Sequence, residues 1–286
     1  MAYEIPDHFH KSFTTNVELL LQQKTSPLVD AVTKSGFTGE AAQVVKQFGE
    51  VDFAEKTTRG DDTVWADIEH KQRWILPTDY TLTLPVDKED ELRMLDSPLS
   101  PYAAAMRAAA VRKMEDIIIA AALGTAYTGK NGTTATVHDT STQQIVSSSA
   151  GMTITKLRSA LEKFRQNFAA DEELFLVMAA KQFTNLLATT EVTSSDYNTV
   201  KALVNGEVNN FMGFKFIHSE RLATATSERR CIAFAKSGLV MGQWNGLESR
   251  ISERADKNYT NQIFMRMSLG ATRTQEKKVV EILCTE

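Results

Sequence analysis

From Pro101 to Gly124 the chain runs without an internal glycine or proline, and alanine and isoleucine dominate that stretch. Nothing else in the sequence limits the fold so tightly. Ser97–Leu123 therefore reads as one helix of about six turns, roughly 35 Å long. Ser100 is expected to cap it, Pro101 to take the first helical position, and Gly124 to end it. Ala103, Ala110, Met114, Ile117 and Ala121 recur at helical spacing and share one face, which Ala104, Ala108 and Val111 widen with small side chains. The polar residues Arg107, Arg112, Lys113, Glu115 and Asp116 form one wet edge, with Arg112 one turn from both acids. The pattern is that of a spine laid across a sheet or another helix.

A chain of 286 residues with 42% hydrophobic and 24% charged residues has enough apolar material for one large or two ordinary domains. Its net charge of −4 and pI near 5.8 exclude a surface built mainly to grip nucleic-acid phosphates. Cys231 and Cys284 lie far apart without CxxC spacing, so free, buried thiols in a reducing compartment are expected. No apolar run approaches 18 residues, and MAYEIPDHFHK lacks the order of a signal peptide, which points to the cytosol and to no membrane partner.

Residues 1–49 read as an arm, with a short helical stretch at Asn16–Gln23 that Pro27 ends. His8 and His10 alternate in HFH, and two such histidines are not expected to make a metal site. From Val51 to Asp96 the period becomes two. Tyr80, Leu82, Leu84 and Val86 form one face of a strand that Pro85 confines to an edge, and Thr63–Glu69 is its expected partner. Arg59–Asp62 and Pro77–Asp79 supply turns. The resulting ribbon carries Trp65 and Trp74 and is too thin to hold a core, so it needs a partner surface.

After the spine, Lys130–Gly151 is polar and aperiodic and reads as a loop or mobile flap at a boundary. Thr153 or Thr155 then caps a helix with a stripe of Ile154, Leu157, Leu161, Phe164 and Phe168. Strand Leu174–Ala179, helix Lys181–Thr189, a polar passage Thr189–Asn198, the segment Val200–Phe211, and strands Phe214–His218, Cys231–Ala235 and Gly238–Gly242 have the grammar of an α/β layer. Ser249–Ala255, Ile263–Gly270 and Lys278–Cys284 are expected strands beneath the spine helix.

Sites for chemistry are wanting. Gly124–Asn131 is one residue short of the phosphate-binding pattern, with Asn131 where a hydroxyl is required, and it follows a helix where it should open one. There is no GxSxG, and His70, His138 and His218 lack nucleophile spacing. Asp61-Asp62 and Glu172-Glu173 read as solvated acids. No catalytic residue, cofactor or metal site is assigned.

The order of arm, charged ribbon, capped spine helix and α/β layer, with NNFMGFKFIHSERL and NQIFMRMSLGATRTQEKKVVEIL, resembles the major capsid proteins of tailed bacteriophages, whose Hong Kong 97 fold is shared with herpesviruses. The resemblance implies an α+β capsid fold divided into an N-terminal arm (1–49), an extended loop (50–96), a peripheral domain with the spine helix (97–150 and 249–286) and an axial domain (151–248). It also implies a non-enzymatic structural protein that self-assembles through hexamers and pentamers into an icosahedral shell around double-stranded DNA. Such a protein forms the virion capsid, assembles in the host cytoplasm, holds DNA without sequence specificity, and works with a separate scaffolding protein and a portal. A fused scaffolding segment ahead of the arm is not expected. Some family members cross-link a lysine of the extended loop to a neighbour's asparagine, and Lys56 and Lys71 lie in that region. An encapsulating compartment of the same fold and a soluble α/β enzyme stay open as alternatives.

Overall fold

In the computed structural model, which describes residues 25–53, 55, 58–60, 65–86, 99–188, 210–225, 227–257 and 259–286, three sheets gather around one long helix. The described chain begins with α1 (Pro27–Ala31), β1 (Thr33–Gly36), β2 (Ala42–Phe48), β3 (His70–Ile75) and β4 (Thr78–Val86). The long helix α2 (Leu99–Leu123) follows, then β5 (Ala126–Thr128), β6 (Thr134–Thr136), β7 (Gln144–Ile145), α3 (Ile154–Gln166), β8 (Leu174–Met178) and α4 (Ala180–Leu187). The remaining strands are β9 (Asn210–Phe211), β10 (Phe214–His218), β11 (Thr224–Ala225), β12 (Glu228–Ala235), β13 (Leu239–Arg254), β14 (Thr260–Arg273) and β15 (Val279–Thr285).

The main core belongs to the sheet ordered β7-β15-β12-β8-β10-β9, with β11 paired to β12. Every residue of β8, LFLVM, is buried, because both faces of this sheet are covered and a continuous apolar run suits that position better than alternation. On α3, Ile154, Leu157, Ala160 and Phe164 point into the core, and of the two candidate caps it is Thr153 whose hydroxyl accepts from the Lys156 amide, at 3.4 Å. Phe168 departs from the expected stripe. The helix stops at Gln166, and Phe168 adopts a φ of +54° and is almost fully exposed.

The second sheet, β1-β13-β14-β4, is built on one long hairpin. Ser249–Ala255 is therefore no separate strand. It continues β13, which starts at Leu239 and runs past irregularities between Gln243 and Glu248. Pro85 sits on the outer strand β4, paired on one side only, the edge position that suits a residue without an N–H. Gly270 marks a close approach to the preceding layer: a Cβ there would fall 2.5 Å from the Leu76 carbonyl oxygen.

Helix α2 lies between these two sheets, which explains why apolar residues nearly encircle it. Met106 packs with Val86, Ile263 and Met265, and Ala110, Met114 and Ile117 pack against Tyr80, Met267 and Leu269. One turn later Ile118, Ile119 and Ala122 enter the main core beside Leu28 and Ala31 of α1. Two details differ from the sequence reading. The helix begins at Leu99, so Ser100 and Pro101 lie inside its first turn, and Glu115 is buried although it stood on the expected wet edge.

The third sheet, β2-β3-β5-β6, corrects the predicted ribbon. Of the expected partner Thr63–Glu69, Thr63 and Val64 lie outside the described residues, and residues 65–69 form no strand. The whole length of β4 is taken by β14, from Asn261↔Val86 to Leu269↔Thr78, while β3 pairs with the upstream strand β2. The ribbon is thus the β2/β3 hairpin, and its first strand falls in the stretch expected to be arm. Lys278–Cys284 also moves: as β15 it pairs with β12 in the main sheet rather than lying beneath α2. The expected flap is tied down by the β5/β6 hairpin, by β7 alongside β15, and by the buried residues His138, Gln143 and Ser147. Val200–Phe211 is described only at its end, where Asn210–Phe211 is a strand, and Asn16–Gln23 and Thr189–Asn198 lie outside the described residues.

Candidate functional site

The β2/β3 ribbon pairs from Ala42↔Ile75 to Phe48↔His70 and is closed by a 2.7 Å bond from the Gly49 amide to the Glu69 carbonyl. Beyond that bond the described apolar residues Val51, Phe53, Trp65 and Ile68 are all exposed, Trp65 at 93%. An indole left in water at that level forfeits a burial worth on the order of 2–3 kcal/mol. The two ribbon tryptophans therefore have opposite settings. Trp74 is half-buried at the root, where its Nε1 donates to the Gly129 carbonyl at 2.7 Å and its ring covers Gly132. Trp65 points away from this subunit.

A buried charge cluster fixes the ribbon root to the end of α2. The last turn of a helix leaves carbonyls without amide partners and carries a partial negative charge. Arg273, fully buried at the end of β14, answers both needs: Nη1 donates to the carbonyls of Ala122 at 2.7 Å and Gly124 at 3.0 Å. Its Nε donates to Glu276 Oε2 at 2.6 Å, and Arg73 of β3 donates through Nη2 to the other oxygen at 3.0 Å. Gln47 of β2 adds a 2.7 Å bond to the Thr274 carbonyl. Burial lowers the Arg73 pKa, and Glu276 opposes that shift. Sequence reasoning missed this cluster, since Arg73, Arg273 and Glu276 belong to no spacing pattern, although the segment containing Gly270–Arg273 was noticed for its resemblance.

The other end of the arrangement joins α2 to the main sheet. Glu115 accepts a short bond from the Ser219 hydroxyl, and Asp116 receives Arg221 Nε and Nη2 at 2.5 and 2.6 Å. Ser219 and Arg221 directly follow β10, so two polar residues of the helix position it against the α/β layer. Cys231 and Cys284 are free and buried on the neighbouring strands β12 and β15, as the sequence reading expects. Nearby, Lys156 Nζ donates to the carbonyls of Ala150, Gly151 and Leu283 at 2.7, 2.9 and 2.8 Å, so its ammonium serves the packing of loop and sheet.

The residues singled out for chemistry do not converge. Gly124–Asn131 contributes β5, paired with β3. Glu172 holds Lys278 and Ser237 while Glu173 holds Lys215 and Lys236, so this acid pair anchors the surroundings of β8. His70 lies edge-on to Phe48 on the ribbon, His218 faces Glu220, and His138 is buried elsewhere. Lys71 is exposed and pairs with Glu69 at 3.0 Å, whereas Lys56, Asp61, Asp62, His8 and His10 lie outside the described residues. Among the described residues no group of three or more His, Cys, Asp or Glu could hold a metal ion, and no helix is long and apolar enough to cross a membrane.

Comparison with known proteins gives this geometry a context. A family model described as phage capsid protein matches residues 5–286. The fold is similar to the capsid structure of cyanophage P-SCSP1u, with a TM-score of 0.74 and 18% identity over 98% of this chain and 94% of that one. It is also similar to the Mycobacterium phage Che8 structure (TM-score 0.69, 15% identity, 96% and 97% covered). A third likeness is the capsid of Ralstonia phage GP4 (TM-score 0.73, 11% identity, 98% and 96% covered). No curated protein matches the chain.

Proposed function

The chain belongs to the phage capsid protein family, and from that premise we propose how its parts divide the work of a shell. It is a major capsid protein: many copies assemble into the icosahedral coat of a bacteriophage, and its place is the virion capsid. The α+β architecture is that of the Hong Kong 97 capsid fold.

In our reading the ribbon is the clasp between copies. Its exposed Phe53 and Trp65 carry this assignment, because a folded subunit gains nothing from them until another surface covers them. Helix α2 with the β1-β13-β14-β4 sheet acts as the peripheral domain. The seven-stranded sheet acts as the axial domain, meeting its neighbours around five-fold and six-fold positions in pentamers and hexamers. The shell encloses double-stranded DNA without reading its sequence, and a net charge of −4 suits a wall along which DNA must slide during packaging. A separate scaffolding protein and a portal complete the assembly, which takes place in the host cytoplasm. The role requires no catalytic step.

Negative-stain electron microscopy of the purified full chain tests this reading. Closed shells or ring-shaped capsomers are expected. A monodisperse particle of single-subunit size at all concentrations would overturn it.

A further inference from the structure

We propose that His138 is a pH-sensitive wedge at the ribbon root: neutral, it fills its place, and protonated, it loosens the ribbon from the end of α2. The proposal stands on a cluster of buried charges and holds whether or not the ribbon clasps another copy.

His138 lies between β6 and β7 with only 8% of its surface exposed, and neither ring nitrogen has a hydrogen-bond partner. The β5/β6 register, Ala126↔Thr136, carried on by two residues sets His138 opposite Gly124, whose carbonyl Arg273 holds, and the charges that act on the imidazole are those of Arg273 at the end of β14, Glu276 in the following turn, Glu281 on β15, and Arg230 on β12. On its own loop, Asp139 is exposed and its carboxylate is occupied by Ser141 and Thr142. Arg230 pairs with Glu281, whereas Arg73 and Arg273 share the single carboxylate of Glu276. Three guanidinium groups therefore meet two carboxylates before the imidazole takes any proton. Arg73 Nε and Nη1 and Arg273 Nη2 already lack partners in the buried junction.

A further cation in such a place is costly, because burial withdraws water from the charge and the Arg273 guanidinium repels it. Burial first, then Arg273, hold the imidazole pKa below its ordinary value of 6.5. The sign follows from linkage. A histidine with a lowered folded-state pKa binds its proton more readily once the junction opens, so closure is favoured above pH 6.5 and weakened as pH falls below it. The bonds at risk are those from Arg273 to Ala122, Gly124 and Glu276, which join ribbon root and helix end.

The other described histidines do not share this setting. His70 lies on the exposed outer part of the ribbon strand, and His218 is exposed beside Glu220. Replacing His218 is therefore an internal control.

Hydrogen exchange on the assembled full chain provides the test, with segments 70–75, 136–140 and 271–278 followed at pH 7.5, 6.5 and 5.5 and corrected for intrinsic rates. Opening of these segments should rise between pH 7.5 and 5.5, by at most about tenfold, the limit for one proton taken up only in an open state with a pKa near 6.5. Segment 174–178 should not follow. His138→Gln and His138→Phe, neutral throughout, should abolish the rise, and His218→Gln should keep it. A flat wild-type profile, or the same rise in a neutral His138 variant, would overturn the proposal. If both variants fail to fold, the wild-type profile decides: a rise confined to the junction and unchanged in His218→Gln supports the wedge, and one shared by 174–178 sinks it.

Discussion

Strand β8 and the ribbon are both rich in apolar side chains, yet they use them in opposite ways. LFLVM of β8 is buried throughout and closes the core of its own subunit. The ribbon displays Phe48, Val51, Phe53, Trp65 and Ile68 to solvent and buries its weight only at the root, through Trp74, Ile75 and Arg73. The difference teaches that apolar content by itself does not locate a core. One region stabilises the fold and the other is stabilised only by what it meets. If that division holds, substitutions should separate folding from assembly.

The largest effect on folding is expected at Ile118, 1% exposed in the core shared by α2 and the main sheet. Ile118→Asp would bury an unpaired carboxylate and should cost several kcal/mol, enough to remove soluble protein at a typical domain stability. Ile117→Asp, on the half-buried face toward β14, should cost less. Soluble yield and urea midpoints of the two variants compare them directly, and an equal loss would mean that the helix has one core face rather than two.

Next comes Arg273→Met, which keeps the packing volume but leaves the carbonyls of Ala122 and Gly124 and one oxygen of Glu276 without their cation. Breaking a buried charge cluster in this way should cost about 3–5 kcal/mol. Chemical denaturation of the full chain measures it. A loss below about 1 kcal/mol would show that the junction does not couple the ribbon to the helix end.

These two predictions also mark what was legible in the sequence. Local rules located α2, the Thr153 cap, β8, β10 and the edge position of Pro85, because each depends on neighbours within a turn or a strand. Pairing was harder. Thr63–Glu69 alternates at least as well as Ala42–Phe48 does, and only the observed pairing of β2 with β3 and of β14 with β4 shows which segment makes the ribbon. The placement of β15 in the main sheet was hidden for the same reason. Arg73, Arg273 and Glu276 were invisible because a charge cluster assembled across about 200 residues leaves no periodic trace. Glu115 misled because an acid on a helix reads as solvated until a partner such as Ser219 is known.

A smaller effect is expected where α2 meets the stretch after β10. Arg221 and Asp116 form a bidentate pair, but about a third of each side chain remains exposed, so solvent screens it. Arg221→Gln should cost about 1 kcal/mol or less and shift the urea midpoint slightly. A cost near that of Arg273→Met would place this contact among the buried anchors and blur the contrast between the two ends of the helix.

The smallest effect on folding, and the sharpest test of the contrast, lies in the ribbon. The double variant Phe53→Ser/Trp65→Ser removes two large apolar groups that stand almost wholly exposed on the described subunit, so its stability should stay within about half a kcal/mol of the parent. Removing a hot-spot aromatic from an interface costs about 2 kcal/mol or more, and a closed shell repeats each contact in every copy. Assembly followed by light scattering and microscopy should therefore fail or demand a much higher protein concentration, while the subunit remains folded. Normal shells from the double variant would mean that these aromatics are idle and that the clasp must be sought along the strands β2 and β3. An unfolded variant would mean that the ribbon supports its own subunit after all, and the division between core and clasp would have to be redrawn.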